Sequence, residues 1–391
     1  MARTARSGGL MGSLKEQRVQ AAAMQEVAGE MKGWRPQAEV LLDVEAVPTV
    51  FPSYDLTVGG GHPISRVCVV HGATSEGKTS FVLGLMMSFL QGGHFAGLLD
   101  AERTTPAKWV NTLMGRLAQH PGFLALPAST YENARASVRE YCERIAKARD
   151  AGRLLPSTSG IVVVDSIRKL VPERLWDELS KAVKADKDEA HHFLKRKGSV
   201  GIDGMSGRAA QYKAALNSQW MDELVPLMAD MRMTIVIVAR ETDETDRHGN
   251  VRPKVGGGAA LGYESSLRIR IKREWLRRED KQKIPYVAGE RHDVEIHKSK
   301  VHAKRQAVEH AFFHTASGMV EGVPEGFDRP RDVLELGVDC GVVELKGAWF
   351  SFEGERLGQG EDHAVALLHG EPRICESIEK AVRAKHAARH Q

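Results

Sequence analysis

The chain has 391 residues, with 55 basic and 51 acidic side chains and a formal net charge of +4. Because positive and negative charges are nearly equal in number, the net charge does not by itself indicate a nucleic-acid binder. Any nucleic-acid surface must be local. Apolar residues make up 42% of the chain, enough to bury a core. The length predicts about two or three domains of typical size.

The four cysteines lie far apart and form no C-x-x-C pair. This spacing argues against a cysteine metal site and favours a reduced intracellular compartment. The first residues, MARTARSGGLMGSLKEQ, lack the apolar core of a signal peptide. No run of about 18 apolar residues occurs that could cross a membrane. We therefore expect a soluble cytoplasmic protein with no membrane partner.

The first predicted element is one helix over residues 12–33. Leu14, Val19, Val27 and Met31 fall roughly on one stripe among charged neighbours. This segment precedes the first strand-like run and has no core of its own. It either packs on its own domain or docks as an arm on a neighbouring subunit.

From about residue 48, short apolar runs alternate with helices. Continuous apolar strands in this arrangement are typical of a mostly parallel sheet that is covered on both faces. The predicted buried strands are Val67–Val70, Ala96–Leu99, Ile161–Val164 and Thr234–Val238, and the predicted partly exposed strands are Leu267–Ile271 and Asp293–Ile296. A helix is predicted over Ser80–Leu90, and a last one over Arg373–Ala388, inside a compact region that begins near residue 321.

A glycine-rich segment follows the first buried strand and opens the next helix. Its residues 72–79 read GATSEGKT and match G-x-x-x-x-G-K-[ST] at every fixed position. Glycines let backbone N–H groups curl around phosphate oxygens, and the helix N-terminus adds a favourable dipole. Lys78 is expected to reach the β- and γ-phosphates, and Thr79 to supply a hydroxyl to Mg²⁺. The residues expected to bind nucleotide here are Gly72, Ala73, Thr74, Ser75, Glu76, Gly77, Lys78, Thr79 and Ser80.

Two carboxylates follow predicted strands and are candidates for the chemistry. Asp165 ends the run 161–164, where a carboxylate beside the phosphate loop can hold Mg²⁺ through water. Glu102 follows the strand after the phosphate-loop helix and can polarise an attacking water as general base. A capping or surface role is the alternative for Glu102.

Several segments, in order along the chain, resemble the bacterial RecA family. They are 51–56 (FPSYDL), 99–102 (LDAE), 162–166 (VVVDS), 256–261 (GGGAAL), 298–300 (KSK), 334–338 (LELGV), 347–352 (GAWFSF) and 358–360 (GQG). The last three segments best distinguish the RecA family from other ATPases, because those ATPases share the core but not this C-terminal domain. The resemblance covers about residues 50–390, with gaps.

The resemblance implies an α/β fold. A RecA-like P-loop ATPase core with a mostly parallel central sheet would occupy residues 48–320, preceded by an N-terminal helical oligomerisation arm at 1–47. A small α+β C-terminal domain would occupy 321–391. The implied function is that of a DNA-dependent ATPase using ATP and Mg²⁺. It would form a helical filament on single-stranded DNA and promote pairing and strand exchange with homologous duplex DNA, in recombination and DNA repair.

The resemblance also implies roles for individual residues. Lys78 and Glu102 would be catalytic, while Lys298 and Lys300 would reach ATP bound to the adjacent subunit. Trp109, together with Thr105, is the nearest candidate to face the adenine. The family usually places a γ-phosphate-sensing glutamine after strand 234–238. Arg240 stands near that point, so it either takes the sensing role or alters the coupling of ATP to DNA.

Two segments resemble the loops with which the family holds DNA. The first spans 198–208 and the second runs from about 241 to 257; each is otherwise a surface loop. The residues expected to contact DNA are Gly201, Met205, Ser206, Gly207, Arg208, Arg247, Arg252, Lys254, Gly257 and Gly258. An inserted segment between Pro172 and Gly198 is expected to add a helix.

Two other functions remain open at this point. One is a RecA-like regulator or mediator that binds ATP and DNA without strand exchange. The replacement of the usual glutamine by Arg240 suggests this alternative. The other is a ring helicase that shares the core fold, against which the C-terminal resemblance argues.

Overall fold

The computed structural model describes residues 14–30, 44–128, 130–173, 207–245, 251–279, 282–301, 311–315 and 320–390. The chain divides into two compact units, 1–44 and 45–391. In the first unit, helix α1 (Leu14–Glu30) lies within the span predicted to be helical. The predicted domain boundaries at 47 and 320, and the docking role of the N-terminal segment, stay predictions.

A ten-stranded sheet forms the centre of the second unit. Its strands are β3 (Val67–Gly72), β4 (Phe95–Asp100), β5 (Phe123–Leu126), β6 (Gly160–Asp165), β7 (Met233–Thr245), β8 (Val251–Val255), β9 (Leu267–Glu279), β10 (Pro285–Ser299), β11 (Ala311–Thr315) and β12 (Gly326–Phe327). A separate pair is formed by β1 (Ala46–Val47) and β2 (His62–Pro63). Each of the six predicted strands lies within an observed strand.

The helices of the second unit follow the strands in alternation. They are α2 (Pro52–Val58), α3 (Lys78–Gln91), α4 (Ala107–Met114), α5 (Tyr131–Asp150), α6 (Gly207–Met231), α7 (Ala259–Glu264), α8 (Arg329–Asp339), α9 (Glu361–Gly370) and α10 (Pro372–His390). Short 3-10 turns cover Gly115–Gln119 and Ile167–Lys169.

Six strands of the central sheet run parallel, in the order β9–β3–β7–β6–β4–β5. Their apolar runs lack a polar alternation because helices cover both faces. On one face, Val236 and Val238 of β7 pack with residues of α3 and α4; on the other, Ile235 and Ile237 pack with residues of α5 and α6. The mostly parallel sheet predicted from the sequence is confirmed.

The sheet continues past β9 through antiparallel strands β10, β11 and β12. Strands β9 and β10 form a long hairpin that contains the basic run 272–278. In it, the Arg273 guanidinium lies 4.2 Å from the centre of the Trp275 ring, whose residue is 47% exposed.

The C-terminal region combines helices α8–α10 with a small antiparallel sheet. That sheet consists of β13 (Glu344–Lys346), β14 (Trp349–Phe352) and β15 (Glu355–Gln359). Its apolar core includes Leu334, Val365 and Ile378 and extends to Ala288 of β10, so the region packs directly on the central sheet.

Two further features of the described chain bear on its handling in solution. All four cysteines, Cys68, Cys142, Cys340 and Cys375, are buried free thiols. Within the described ranges, none of the helices combines the length and apolar character that a bilayer span requires.

Buried charges surround helix α8 where it meets the core. Arg331, only 1% exposed, pairs with Asp328 and Asp362 at 3.0 and 2.9 Å and also with Glu361.

Asp332 is buried, and its carboxylate accepts a hydrogen bond from the Ser53 backbone N–H at 3.2 Å. Burial raises the pKa of Asp332 to about 7, against the opposing hydrogen bonds from Ser53. For Asp328, burial also acts upward, but the hydrogen bond from His369 and the charge of Arg331 outweigh it and hold the pKa below its usual range.

We predict that Asp332→Asn stabilises the protein relative to wild type more at pH 8 than at pH 5. A raised carboxyl pKa means that ionisation costs more in the folded chain than in the unfolded one. This cost grows as the pH rises from 3.8 towards 7, and it is constant above. The gain in free energy of unfolding should be larger at pH 8 by about 1–3 kcal/mol, as measured by urea denaturation at both pH values.

Asp328→Asn provides the control with the opposite sign. Its lowered pKa contributes stability above the unfolded value, and this stability is lost as the pH falls. This variant should therefore lose more stability at pH 8 than in acid. Equal effects of pH on both variants would contradict the assignment.

Candidate functional site

The candidate site lies where the carboxyl ends of the central parallel strands meet. Register pairs Asp100 of β4 with Asp165 of β6, and Gly72 of β3 with Arg240 of β7. Because these positions lie level on neighbouring strands, the phosphate-loop motif and the strand-end charges converge at one edge of the sheet. The sequence motifs are thus brought together by the strand order itself.

The phosphate loop connects β3 to α3. Ser75 and Gly77 have positive φ, of 63° and 88°, and Gly77 is the N-cap of α3. The Lys78 ammonium donates to the Gly72 carbonyl at 3.1 Å and to the Ala73 carbonyl, so the side chain folds back over its own loop. Burial lowers the pKa of Lys78, against the nearby carboxylates that raise it.

The far side of this loop is supported by strands β9 and β10. The Glu76 carboxylate accepts from the backbone N–H of Arg273, and the Glu76 carbonyl lies 3.1 Å from Nδ1 of His292. A β-carbon added at Gly77 would lie 2.2 Å from the His292 ring. Gly77 is therefore required both for its positive φ and for this close approach.

Asp165 and Thr79 meet in the cavity next to the loop. The Thr79 hydroxyl donates to Oδ2 of Asp165 at 2.7 Å. Burial raises the pKa of Asp165 to about 6; the negative charges of Glu102 and Asp100 add to the rise, and the hydrogen bond from Thr79 opposes it. A buried carboxylate flanked by other acids, with a hydroxyl beside it, is a set of oxygen donors that suits a hard divalent cation such as Mg²⁺.

Glu102 is held beside Asp165 by the backbone. The N–H groups of Ala101 and Glu102 donate to the Asp165 carbonyl at 2.7 and 3.2 Å. The Ser166 hydroxyl donates to Oε1 of Glu102 at 2.8 Å. The carboxylate therefore faces the same cavity as Lys78.

Residues after β4 lead to the predicted adenine side. The Asp100 carboxylate accepts from the backbone N–H groups of Arg103 at 2.7 Å and Thr105 at 3.4 Å. These bonds shape the turn that leads into α4. On α4, Trp109 packs partly against the core and also lines the cavity.

The cavity has a volume of about 630 Å³. The residues that were predicted from the sequence and line it are Thr74, Ser75, Glu76, Gly77, Lys78, Thr79, Ser80, Glu102, Trp109, Asp165 and Arg240. Gly72 and Ala73 take part through the carbonyls that bind Lys78. The sequence thus identified most of one wall.

The cavity also contains residues that sequence reasoning missed. They are Ser166, Arg168, Lys169, Val238, Ala239, Arg273, Glu290 and His314. The positions of Ser166, Arg168 and Lys169, directly after Asp165, were a usable signal. Glu290 and His314 had none, because they lie on antiparallel strands more than a hundred residues along the chain from the loop they face.

A polar network lies directly beside Arg240. Its neighbour Glu241 pairs with Nε of Arg270 and with Nδ1 of His71, both at 2.8 Å. Burial lowers the pKa of His71 to about 4, despite the opposing effect of Glu241, so at neutral pH the uncharged ring donates its Nδ1–H to the Glu241 carboxylate. Through this hydrogen bond, β7 is tied to β3 at the residue before the phosphate loop.

The two lysines expected to act across a subunit contact lie at the end of β10. The Lys298 ammonium donates to the Gly262 carbonyl at 3.0 Å and to that of Tyr263. Lys300 is exposed, and its backbone N–H donates to the Ser266 carbonyl at 2.7 Å. In the part of the chain that the structure describes, neither lysine is among the residues lining the cavity of its own chain.

The second expected DNA loop begins and ends as a β-ribbon. The extension of β7 pairs with β8, with Glu244 opposite Arg252 and Thr242 opposite Lys254. Strands therefore stand at both ends of the segment that was predicted to be a loop. Arg247 lies outside the described residues.

The base of each expected DNA loop touches helix α6. Gly207 and Arg208 form the first turn of this helix. The Asn217 side-chain amide donates to the Gly257 carbonyl at 2.5 Å, and a β-carbon at Gly258 would lie 3.1 Å from that of Ala214. Gly201, Met205 and Ser206 lie outside the described residues, as does the inserted segment from 174 onward.

Comparisons with known proteins agree with this arrangement. A family model for the RecA C-terminal domain matches residues 331–387. Protein RecA of Thioalkalivibrio sulfidiphilus is 27% identical over 345 residues, covering 88% of this chain and 85% of the relative. The protein of the same name from Heliobacterium modesticaldum is 26% identical over 360 residues, covering 89% and 86%, and that from Geobacter sulfurreducens is 25% identical over 355 residues, covering 88% and 86%.

These matches span the parallel core, the phosphate loop with its strand-end carboxylates, and the small C-terminal sheet with its helices. About a quarter of the aligned positions are identical, so the similarity is distant. The chain is therefore similar to RecA proteins over most of its length, and its residues 331–387 match the RecA C-terminal domain.

Proposed function

We propose that this protein is a DNA-dependent ATPase and recombinase of the cytoplasm. It would assemble on single-stranded DNA as a helical filament and promote pairing and strand exchange with homologous duplex DNA. The observation that carries the proposal is the convergence of Lys78, Thr79, Asp165 and Glu102 in one cavity beside a phosphate loop. The similarity to RecA proteins directs that chemistry towards DNA recombination and repair.

The described residues suit a nucleoside triphosphate with Mg²⁺. The loop and the N-terminus of α3 would bind the phosphates, with Lys78 exchanging its bonds to Gly72 and Ala73 for phosphate oxygens. Thr79 and Asp165 would hold the cation, which, when bound, neutralises charge on the phosphates. A positive charge there would also relieve the repulsion that raises the pKa of Asp165.

Glu102 would act on water. Its carboxylate would accept a proton from a water directed at the terminal phosphate, while the Ser166 hydroxyl keeps the side chain in place. Arg240, which also lines the cavity, would contact the same phosphate and transmit its presence to the β7–β8 ribbon through Glu241. Lys298 and Lys300 would reach the nucleotide of the neighbouring subunit.

One observation favours a second candidate, a regulator that binds ATP and DNA without strand exchange. Arg240 stands where the family usually has a glutamine, and the adjacent Glu241 is engaged by Arg270 and His71. If these contacts prevent β7 from responding to the nucleotide, DNA binding and turnover would be uncoupled.

Electron microscopy with single-stranded DNA and a slowly hydrolysed ATP analogue tests the main proposal. Helical filaments that need both components, together with joint-molecule formation in a strand-exchange assay, are the expected result. Binding to DNA without turnover or exchange would favour the regulator. Closed hexamers that unwind a forked duplex would instead favour a helicase.

We predict that Lys78→Ala lowers DNA-stimulated ATP turnover by about 100-fold or more, because the terminal phosphates lose their main positive partner. The measurement is phosphate release on single-stranded DNA at saturating ATP. Lys108→Ala, which removes an exposed lysine of α4, is the control and should keep wild-type turnover. Full activity of Lys78→Ala would contradict the site assignment.

Glu102→Gln should slow hydrolysis by about 10²-fold while ATP-dependent DNA binding persists, because the amide cannot accept the proton of water. Turnover and the anisotropy of a labelled oligonucleotide report the two properties. The partly exposed Glu143 of α5 provides the control, and Glu143→Gln should behave as wild type. Normal turnover of Glu102→Gln would remove this residue from the role of base.

If the two lysines of β10 act across a subunit contact, a mixture of two inactive proteins should regain activity. Lys298→Ala/Lys300→Ala and Lys78→Ala should each be inactive. In an equimolar mixture, about a quarter of random contacts join an intact phosphate loop to intact lysines. Turnover near that fraction of wild type is expected, whereas a mixture as inactive as its components would place the lysines in their own subunit's site.

A further inference from the structure

The 3-10 turn Ile167–Lys169 lies between the cavity and the bases of both expected DNA loops. On one side, Arg168 and Lys169 line the cavity next to Asp165. On the other side, a β-carbon at Gly257 would lie 3.7 Å from the Ile167 side chain. The turn therefore lines the cavity and lies next to the end of the second loop.

Helix α6 adds a third cation to this turn. The Lys213 ammonium donates to the Arg168 carbonyl at 2.8 Å, and the side chain is half-buried. Burial lowers the pKa of Lys213 to about 8, and repulsion from the positive charges of Arg168 and Lys169 adds to the shift. Three positive charges are thus held together at a cost that a bound anion would relieve.

The position of Lys213 indicates from which side an anion would come. Within the described residues, Arg168 and Lys169 line the nucleotide cavity, but Lys213 is not among its lining residues. Lys213 lies instead on α6 between Gly207, where the first loop ends, and Asn217, which binds the Gly257 carbonyl at the end of the second. An anion bound to Lys213 would therefore lie outside the described lining of the cavity, on the helix that connects the bases of the two loops.

We propose that Lys213, with Arg168 and Lys169, forms a binding site for a backbone phosphate of the DNA strand, at the junction of the two loop bases and separate from the phosphate loop. This site rests on the proposed function, since it requires that the protein bind DNA. A strand phosphate bound there contacts the turn whose opposite side lines the nucleotide cavity. DNA and nucleotide would then act on one shared three-residue segment.

The test compares Lys213→Gln, Lys213→Arg and wild type for binding of a labelled single-stranded oligonucleotide in the presence of a slowly hydrolysed ATP analogue. Glutamine keeps an N–H donor for the Arg168 carbonyl but removes the charge. It should weaken binding about three- to tenfold and reduce the slope of log affinity against log salt by about 0.7, the value for one lost single-strand phosphate contact. Arginine should restore both quantities.

Lys147→Gln is the matched control, because it removes one exposed lysine of α5. It should leave affinity and salt slope unchanged. Binding of a fluorescent nucleotide without DNA should also be unchanged in Lys213→Gln. If this variant loses nucleotide affinity instead, the cluster serves the nucleotide and the proposal is wrong.

A pH series separates a charge effect from a merely structural one. Wild-type affinity for the oligonucleotide should fall as the pH rises through about 8, where Lys213 loses its proton, whereas Lys213→Arg should show no such fall. Wild-type DNA binding with unaltered affinity, slope and pH profile in Lys213→Gln would refute this site and leave the proposed function standing. Absence of DNA binding by wild type would overturn both.

Discussion

The geometry of the site depends on the shared direction of the parallel strands. Because β3, β4 and β6 end at one edge and β7 passes through it, four segments that are distant in sequence bring residues to the same place. Register then decides the details: Asp100 lies level with Asp165, and Gly72 with Arg240. A shift of one residue in any of these pairs would turn the charges into the core, so the apolar runs that fix the register also fix the chemistry.

The antiparallel side of the sheet contributes a different constraint. His292 fills the space beneath Gly77, and Arg273 anchors Glu76 through its backbone. The loop is therefore supported from β9 and β10, the same hairpin that carries Lys298. A subunit that contacted that end of the hairpin would therefore be connected to the phosphate loop through β10.

Sequence reasoning succeeded where a pattern is local. The loop at 72–79 and the carboxylates Asp165 and Glu102 each follow an apolar strand, so their placement needed only the rule that parallel strands end together. Sequence reasoning missed Glu290 and His314. Their strands, β10 and β11, pair antiparallel, and no periodic pattern in the sequence indicates which of their residues face the cavity. Sequence reasoning also expected a loop where Glu244 pairs with Arg252, since charged strands at a sheet edge lack the apolar alternation that identifies strands.

The reactivity of the four buried thiols can report local unfolding of the chain. Burial raises the pKa of Cys68 in the central sheet and of Cys375 in the C-terminal region, so thiolate is scarce and shielded while the structure is closed. Alkylation of either residue would then mark transient exposure of that particular layer. The four native cysteines would react little with a thiol-specific probe, so a cysteine introduced on the surface would be labelled selectively. The unmodified sequence is therefore a convenient background for site-specific labelling.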